Sequence, residues 1–138
     1  MEIKSSEIGK KVANADAVAN IFRAILQAEC EIDREKEHFW IVGLNQGLKI
    51  KYIELVSLGI LNASLVAPRE VFRFAIMKAS AGIILCHNHP SGESNPSEED
   101  LRITKQLAEA GSILGIKVYD HIILTDKSEM SFANQGLI

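Results

Sequence analysis

The chain has few of the residues that staple, break or anchor a polypeptide. Its two cysteines, Cys30 and Cys86, are too few for a disulfide framework. Three prolines are present, with no Gly/Pro-rich stretch, repeat or low-complexity tract that would mark a linker. No apolar run approaches the ~20 residues needed to span a bilayer, which argues against a membrane role. The opening Met1-Glu2-Ile3-Lys4-Ser5-Ser6 lacks the apolar stretch of a secretory leader. Positive charge is not in surplus: 15 Lys and Arg stand against 18 Asp and Glu, a formal net charge of −3. That balance disfavours a surface built mainly to coat phosphate backbones, although a local basic patch remains compatible with it. What is left is the expectation of a soluble, cytoplasmic protein. Its 138 residues suit a single domain, 47% hydrophobic and 24% charged, able to bury a core of its own. Residues 1–12 are mixed polar and are expected to be loosely held.

The remaining pattern alternates helices and strands. Val18, Ile21, Phe22 and Ile25 recur at three- and four-residue spacing and predict a helix from about Asp16 to Cys30, with Asn14 or Asp16 as its cap. After the charged stretch from Glu31 to Lys36, residues Phe39 to Leu44 are apolar at both parities, as in a strand buried on both faces. Asn45-Gln46-Gly47 reads as a turn into a hairpin partner over Lys49–Val56. Pro68 suits the first position of a second helix running to about Ala79. Ile83 to His89 forms a strand that ends in polar residues. A third helix runs from about Pro96 to Leu114, and a last strand covers Val118 to Leu124. The fold class is therefore α/β (α+β), a mixed β-sheet flanked by helices.

Chemistry concentrates where a strand meets a helix. His87, His89, Pro90 and Pro96 fall within ten residues. Side chains on a strand repeat every two residues, so His87 and His89 point to one side, a few ångströms apart. Two imidazoles so placed can share one metal ion, and zinc accepts both histidine nitrogens and carboxylate oxygens. On the following helix, Asp100, Thr104, Leu107, Gly111 and Leu114 share one face, otherwise apolar or small. Asp100 thus points inward, where an unpaired carboxylate is expensive and calls for a cation or a donor. Ser97 lies one turn earlier near the same face. Two caps compete for this helix. Ser97 with Asp100 matches a capping box, and Asn95 followed by Pro96 and Glu98 is an equally good start that would free Ser97 and Asp100. Cys86 faces the other side of the strand and reads as a buried structural thiol. His38 and His121 read as ordinary strand residues.

At this spacing the chain resembles the JAMM/MPN metalloprotease family, whose signature is an upstream Glu, then His-x-His-Pro, six residues, Ser, two residues, Asp. His87, His89, Pro90, Ser97 and Asp100 match it without a gap. The segments His87-Asn88-His89-Pro90-Ser91-Gly92, Pro68-Arg69-Glu70 and Asp120-His121-Ile122-Ile123 resemble its RadC-like branch in particular, as does the ending Ser131-Phe132-Ala133 to Gly136-Leu137. The likeness covers about residues 12–138. It implies the JAMM/MPN (cytidine deaminase-like) fold. It also implies Zn²⁺ held by His87, His89 and Asp100, Glu37 as general base, Ser97 as oxyanion donor, and hydrolysis of a peptide or isopeptide bond in a peptide or protein substrate. Glu37 suits the upstream glutamate because it adjoins the apolar strand; Glu35, at the same parity, is its rival. Longer members carry an N-terminal helix-hairpin-helix region for which this chain has no room, so a nucleic-acid partner is left open. A non-catalytic or DNA-repair-associated binding module is the alternative from another class. An HNH-type nuclease is disfavoured, since its three residues are not adjacent in sequence. The sequence leaves the oligomeric state open.

Overall fold

The computed structural model describes residues 1–59 and 66–138. Helix α1, Ala15–Gln27, begins where the Asn14 side chain accepts a hydrogen bond from the Ala17 amide at 2.8 Å, which satisfies one of the orphan donors of its first turn. Its apolar stripe of Val18, Ala19, Phe22 and Leu26 is buried. The helix stops before the expected Cys30, because that residue starts a separate turn, α2, Glu31–Arg34, inside the stretch read only as charged. Strand β2, His38–Leu44, is buried at all seven positions, as its apolar parity requires. The Asn45–Gly47 turn forms, with the Leu48 amide donating to Asn45 O, and leads into the strand over Ile50–Leu58.

Two short strands carried no readable period. The first is β1, Glu2–Ile3, which pairs antiparallel with Ile50–Leu58, now β3. The N-terminal segment, expected to be loosely held, is further tied by the Gly9 amide donating to Ile50 O at 2.7 Å. Helix α3, Pro68–Met77, starts at its proline as expected. Strand β4, Gly82–Asn88, then leads through the Pro90–Pro96 loop to helix α4, Glu98–Leu114. Strand β5, Lys117–Leu124, is followed by the second unforeseen strand, β6, Glu129–Ser131.

The sheet order is β1-β3-β2-β4-β5-β6, and all pairings are antiparallel except β4 with β5. A parallel pair needs a long crossover, and α4 supplies it. The architecture is thus a mixed six-stranded sheet in an α+β domain. On one face α1 packs over Trp40, Val42, Ile84, Cys86 and Ile122. On the other, α3 and α4 cover Phe39, Ile41, Ile83, Leu85 and Val118. Strand parity therefore sends Cys86 toward α1 and His87 toward α4. The inward face of α4 contains Asp100, Ile103, Thr104, Leu107 and Gly111. Leu114, expected on that face, is instead exposed, because the helix ends there at the left-handed Gly115.

Candidate metal centre

The C-terminal end of β4 and the first turn of α4 bring the three expected ligands together. His87 Nε2 lies 2.8 Å from His89 Nε2 and 3.2 Å from Asp100 Oδ1, and His89 Nε2 lies 3.1 Å from Asp100 Oδ2. One donor atom from each residue falls within 4.8 Å of the others. His87 and Asp100 are buried, and His89 is half-buried at the rim. Two imidazole nitrogens and one carboxylate oxygen form a donor set suited to zinc. Three donors about 2.0–2.1 Å from a tetrahedral ion stand about 3.3 Å apart; the 3.2 and 3.1 Å contacts with the two Asp100 oxygens lie close to that, and the 2.8 Å between the histidines is about half an ångström short of it. His89 Nδ1 lies 2.8 Å from Glu93 O, which can only accept. That nitrogen therefore carries a proton, and in its neutral form His89 turns its Nε2 lone pair into the triangle. The residues present fit a divalent ion.

Electrostatics follow from the same contacts. Burial alone would raise the Asp100 pKa, but the His87 and His89 imidazoles set against the carboxyl, together with the Ser97 amide hydrogen, hold it far below the usual carboxylate range. The hydrogen bond to Asp100 raises the His89 pKa against the opposing effect of burial. The nearby Glu37 charge adds to that rise. Without a metal, the triangle is thus a place that holds a proton.

Glu37 is half-buried and immediately precedes β2. Its rival, Glu35, is exposed and lines a cleft of about 290 Å³ that also reaches Glu31, Arg34, Asn88, His89 and Asp126. Asn88, the residue between the two histidines, faces the α1 side and clamps the backbone around Glu37. Its Oδ1 accepts from the His38 amide at 2.6 Å, and its Nδ2 donates to Lys36 O at 3.0 Å. Sequence reading missed that role, because it depends on a neighbouring strand. The competition between caps resolves to Ser97: its Oγ accepts from the Asp100 amide at 3.0 Å, and Asp100 Oδ2 accepts from the Ser97 amide at 2.8 Å. Capping does not free Ser97 and Asp100 from each other, yet the Ser97 hydroxyl hydrogen can still be donated.

His38 is a buried strand residue, its Nε2 2.6 Å from Glu29 Oε2 and its ring stacked on Trp40. His121, read from the sequence as an ordinary strand residue, stands directly behind the triangle. Its Nε2 lies 2.7 Å from His87 Nδ1, and its Nδ1 lies 2.5 Å from Thr104 Oγ1. Thr104, one turn after Asp100 on the predicted inward face, was the available signal for this contact.

Among the described residues, no helix is long and apolar enough to cross a membrane. The RadC-like JAB domain pattern matches residues 12–137. A UPF0758 protein of Caldanaerobacter subterraneus subsp. tengcongensis is 54% identical over 101 residues, covering 73% of this chain and 43% of that protein. UPF0758 proteins of Desulforamulus reducens and Methanococcoides burtonii are each 39% identical and cover 100% of this chain, with 64% and 58% of their own lengths matched. The chain therefore spans between about two-fifths and two-thirds of the length of these relatives, whose names state no activity. With a match across nearly its whole length, the chain belongs to the RadC-like JAB domain family.

Proposed function

We propose that this domain is a zinc-dependent hydrolase of the JAMM type, which uses an activated water to cleave a peptide or isopeptide bond in a peptide or protein substrate. His87, His89 and Asp100 would hold the ion. Bound zinc supplies a Lewis acid and lowers the pKa of water from ~15.7 toward ~7. Glu37 takes the proton of the attacking water and delivers it to the leaving amine. The Ser97 hydroxyl donates to the oxygen on which negative charge develops. The water-poor setting of Asp100 and His87 strengthens each of these interactions. Acidic Glu93, Glu98 and Glu99 near the mouth weigh against acidic substrates. The free thiols Cys30 and Cys86 suit the reducing cytoplasm.

The observation that carries this reading is the convergence of His87 Nε2, His89 Nε2 and the Asp100 carboxylate on one point, with the Glu37 charge acting on the same cluster. Metal analysis of the purified protein, combined with a screen of peptide and isopeptide substrates, tests it. Wild type is expected to contain zinc and hydrolyse a subset of substrates. Glu37→Gln is expected to keep the zinc and lose the hydrolysis. Full activity in Glu37→Gln rejects Glu37 as the base. Zinc bound without any hydrolysis favours a binding module.

A further inference from the structure

His121 sits on β5 beside β4, in register with Leu85, and has no solvent exposure. Its ring stacks on Phe132 at a centroid distance of 4.7 Å and meets the edge of Phe39 at 5.7 Å. Each of its nitrogens has one polar partner, His87 on one side and Thr104 on the other. Proton accounting along this line has few solutions. Thr104 Oγ1 lies 2.6 Å from the Asp100 main-chain oxygen and donates its single hydrogen there, since a carbonyl only accepts. Toward His121, the threonine oxygen can then only accept, so His121 Nδ1 carries a hydrogen. A second proton on this ring would be a buried charge among apolar rings with no carboxylate bonded to it, which is costly. His121 Nε2 is therefore an acceptor, and His87 Nδ1, 2.7 Å away, donates to it.

We infer that His121 is a positioning residue: held by Thr104, it fixes His87 in the tautomer whose Nε2 lone pair faces His89 and Asp100. The inference rests on the reading of His87 as a metal ligand. In the other tautomer a hydrogen would sit on Nε2, where it would bond Asp100 and block an ion. Metal-binding histidines commonly donate their second nitrogen to a carboxylate or carbonyl, which fixes the tautomer and raises ligand basicity. Here the acceptor is a neutral imidazole and brings no charge of its own. Asp100 then remains the only anion among the three ligands, so a bound divalent ion keeps more of its Lewis acidity.

Imidazole ¹⁵N–¹H correlation spectra of the metal-free protein read the tautomers directly, without a substrate. The expected result is hydrogen on Nδ1 of both His87 and His121, with the Nε2 signals of His87 and His89, but not that of His121, moving strongly when zinc is added. His87 carrying its hydrogen on Nε2, or a doubly protonated His121, overturns the inference. His121→Phe keeps the ring but removes the acceptor, and is expected to mix the His87 tautomers and weaken zinc binding roughly 10- to 100-fold. His121→Gln supplies a carbonyl acceptor and is expected to recover most of both. A wild-type tautomer and zinc affinity in His121→Phe overturns the proposal. Should that variant fail to fold, Thr104→Val decides: it keeps the side-chain shape, releases the His121 Nδ1–H along with the bond to the Asp100 main-chain oxygen, and is expected to loosen the tautomer at both rings. The expected spectrum in a wild-type protein that takes up no zinc sinks the metalloenzyme reading and leaves the relay intact; zinc uptake with the opposite tautomer sinks the relay alone.

Discussion

Asp100 and Ser97 share one oxygen between folding and chemistry. Asp100 Oδ2 accepts the Ser97 amide hydrogen at 2.8 Å and faces His89 Nε2 at 3.1 Å. The same carboxylate thus closes the first turn of α4 and offers itself to the cluster at the end of β4. The helix N-terminus, with its unpaired amides, favours negative charge at this place. A ligand built into a capping box has its rotamer set by the backbone, and its orientation does not wait for a metal.

Substitutions at Ser97 can separate the two duties. Ser97→Ala removes the N-cap and is expected to cost about 1 kcal/mol, whereas Ser97→Gly costs only a few tenths. Both remove the hydroxyl. If that hydroxyl stabilises the oxyanion, both variants lose hydrolysis by about 10²- to 10³-fold. Thermal unfolding together with turnover on a substrate cleaved by wild type checks this. Near-wild-type turnover in Ser97→Gly would limit Ser97 to capping.

Zinc and a proton compete for the triangle, and the sign of the pH effect follows. The folded His89 pKa is raised, so its contribution to the metal-free protein is full below the ordinary value of ~6.5 and fades as pH rises through the raised value. Asp100 is lowered, so its contribution holds above ~3.9 and is lost only in acid. Metal-free protein is expected to lose stability as pH rises above ~6.5, while the gain in Tm on adding zinc widens over the same rise. Calorimetric titration with zinc in two buffers of different ionisation enthalpy should show proton release. A gain in Tm independent of pH would contradict the assignment.

Asn88→Ala tests the clamp around Glu37. It strips the buried His38 amide of its Asn88 partner, a loss of about 1–3 kcal/mol for that group, while Lys36 O keeps the His38 Nδ1 at 2.8 Å. Amide exchange at His38 is expected to accelerate while that of Ile41, inside the sheet, stays slow. Zinc content should be unchanged, because Asn88 points away from the ligands. Lost zinc would show that the clamp supports the ligands themselves and not only the segment bearing Glu37.

Local pattern made much of this protein legible. The both-faces apolar run of β2, the amphipathic stripe of α1 and the proline start of α3 were each readable because the period of burial is written into neighbouring residues. The pairing of His87 with His89 is a matter of strand parity, and the inward turn of Asp100 a matter of helical phase. Strands β1 and β6 were not legible, since two or three residues contain no period and form only against a partner strand.

Residue order by itself thus determined the two histidines on one side of a strand and the carboxylate on the inner face of the next helix, because those relations span a few residues of regular backbone. Tertiary structure alone decided which cap begins α4, that Asn88 grips the backbone beside Glu37, and that His121 stands behind His87. The cap is local, but two starts fit it equally well until Asp100 meets the histidines of β4; the other two join elements far apart in the chain, where hydrogen-bond partners across a sheet are chosen by register and layer packing, which no local period encodes.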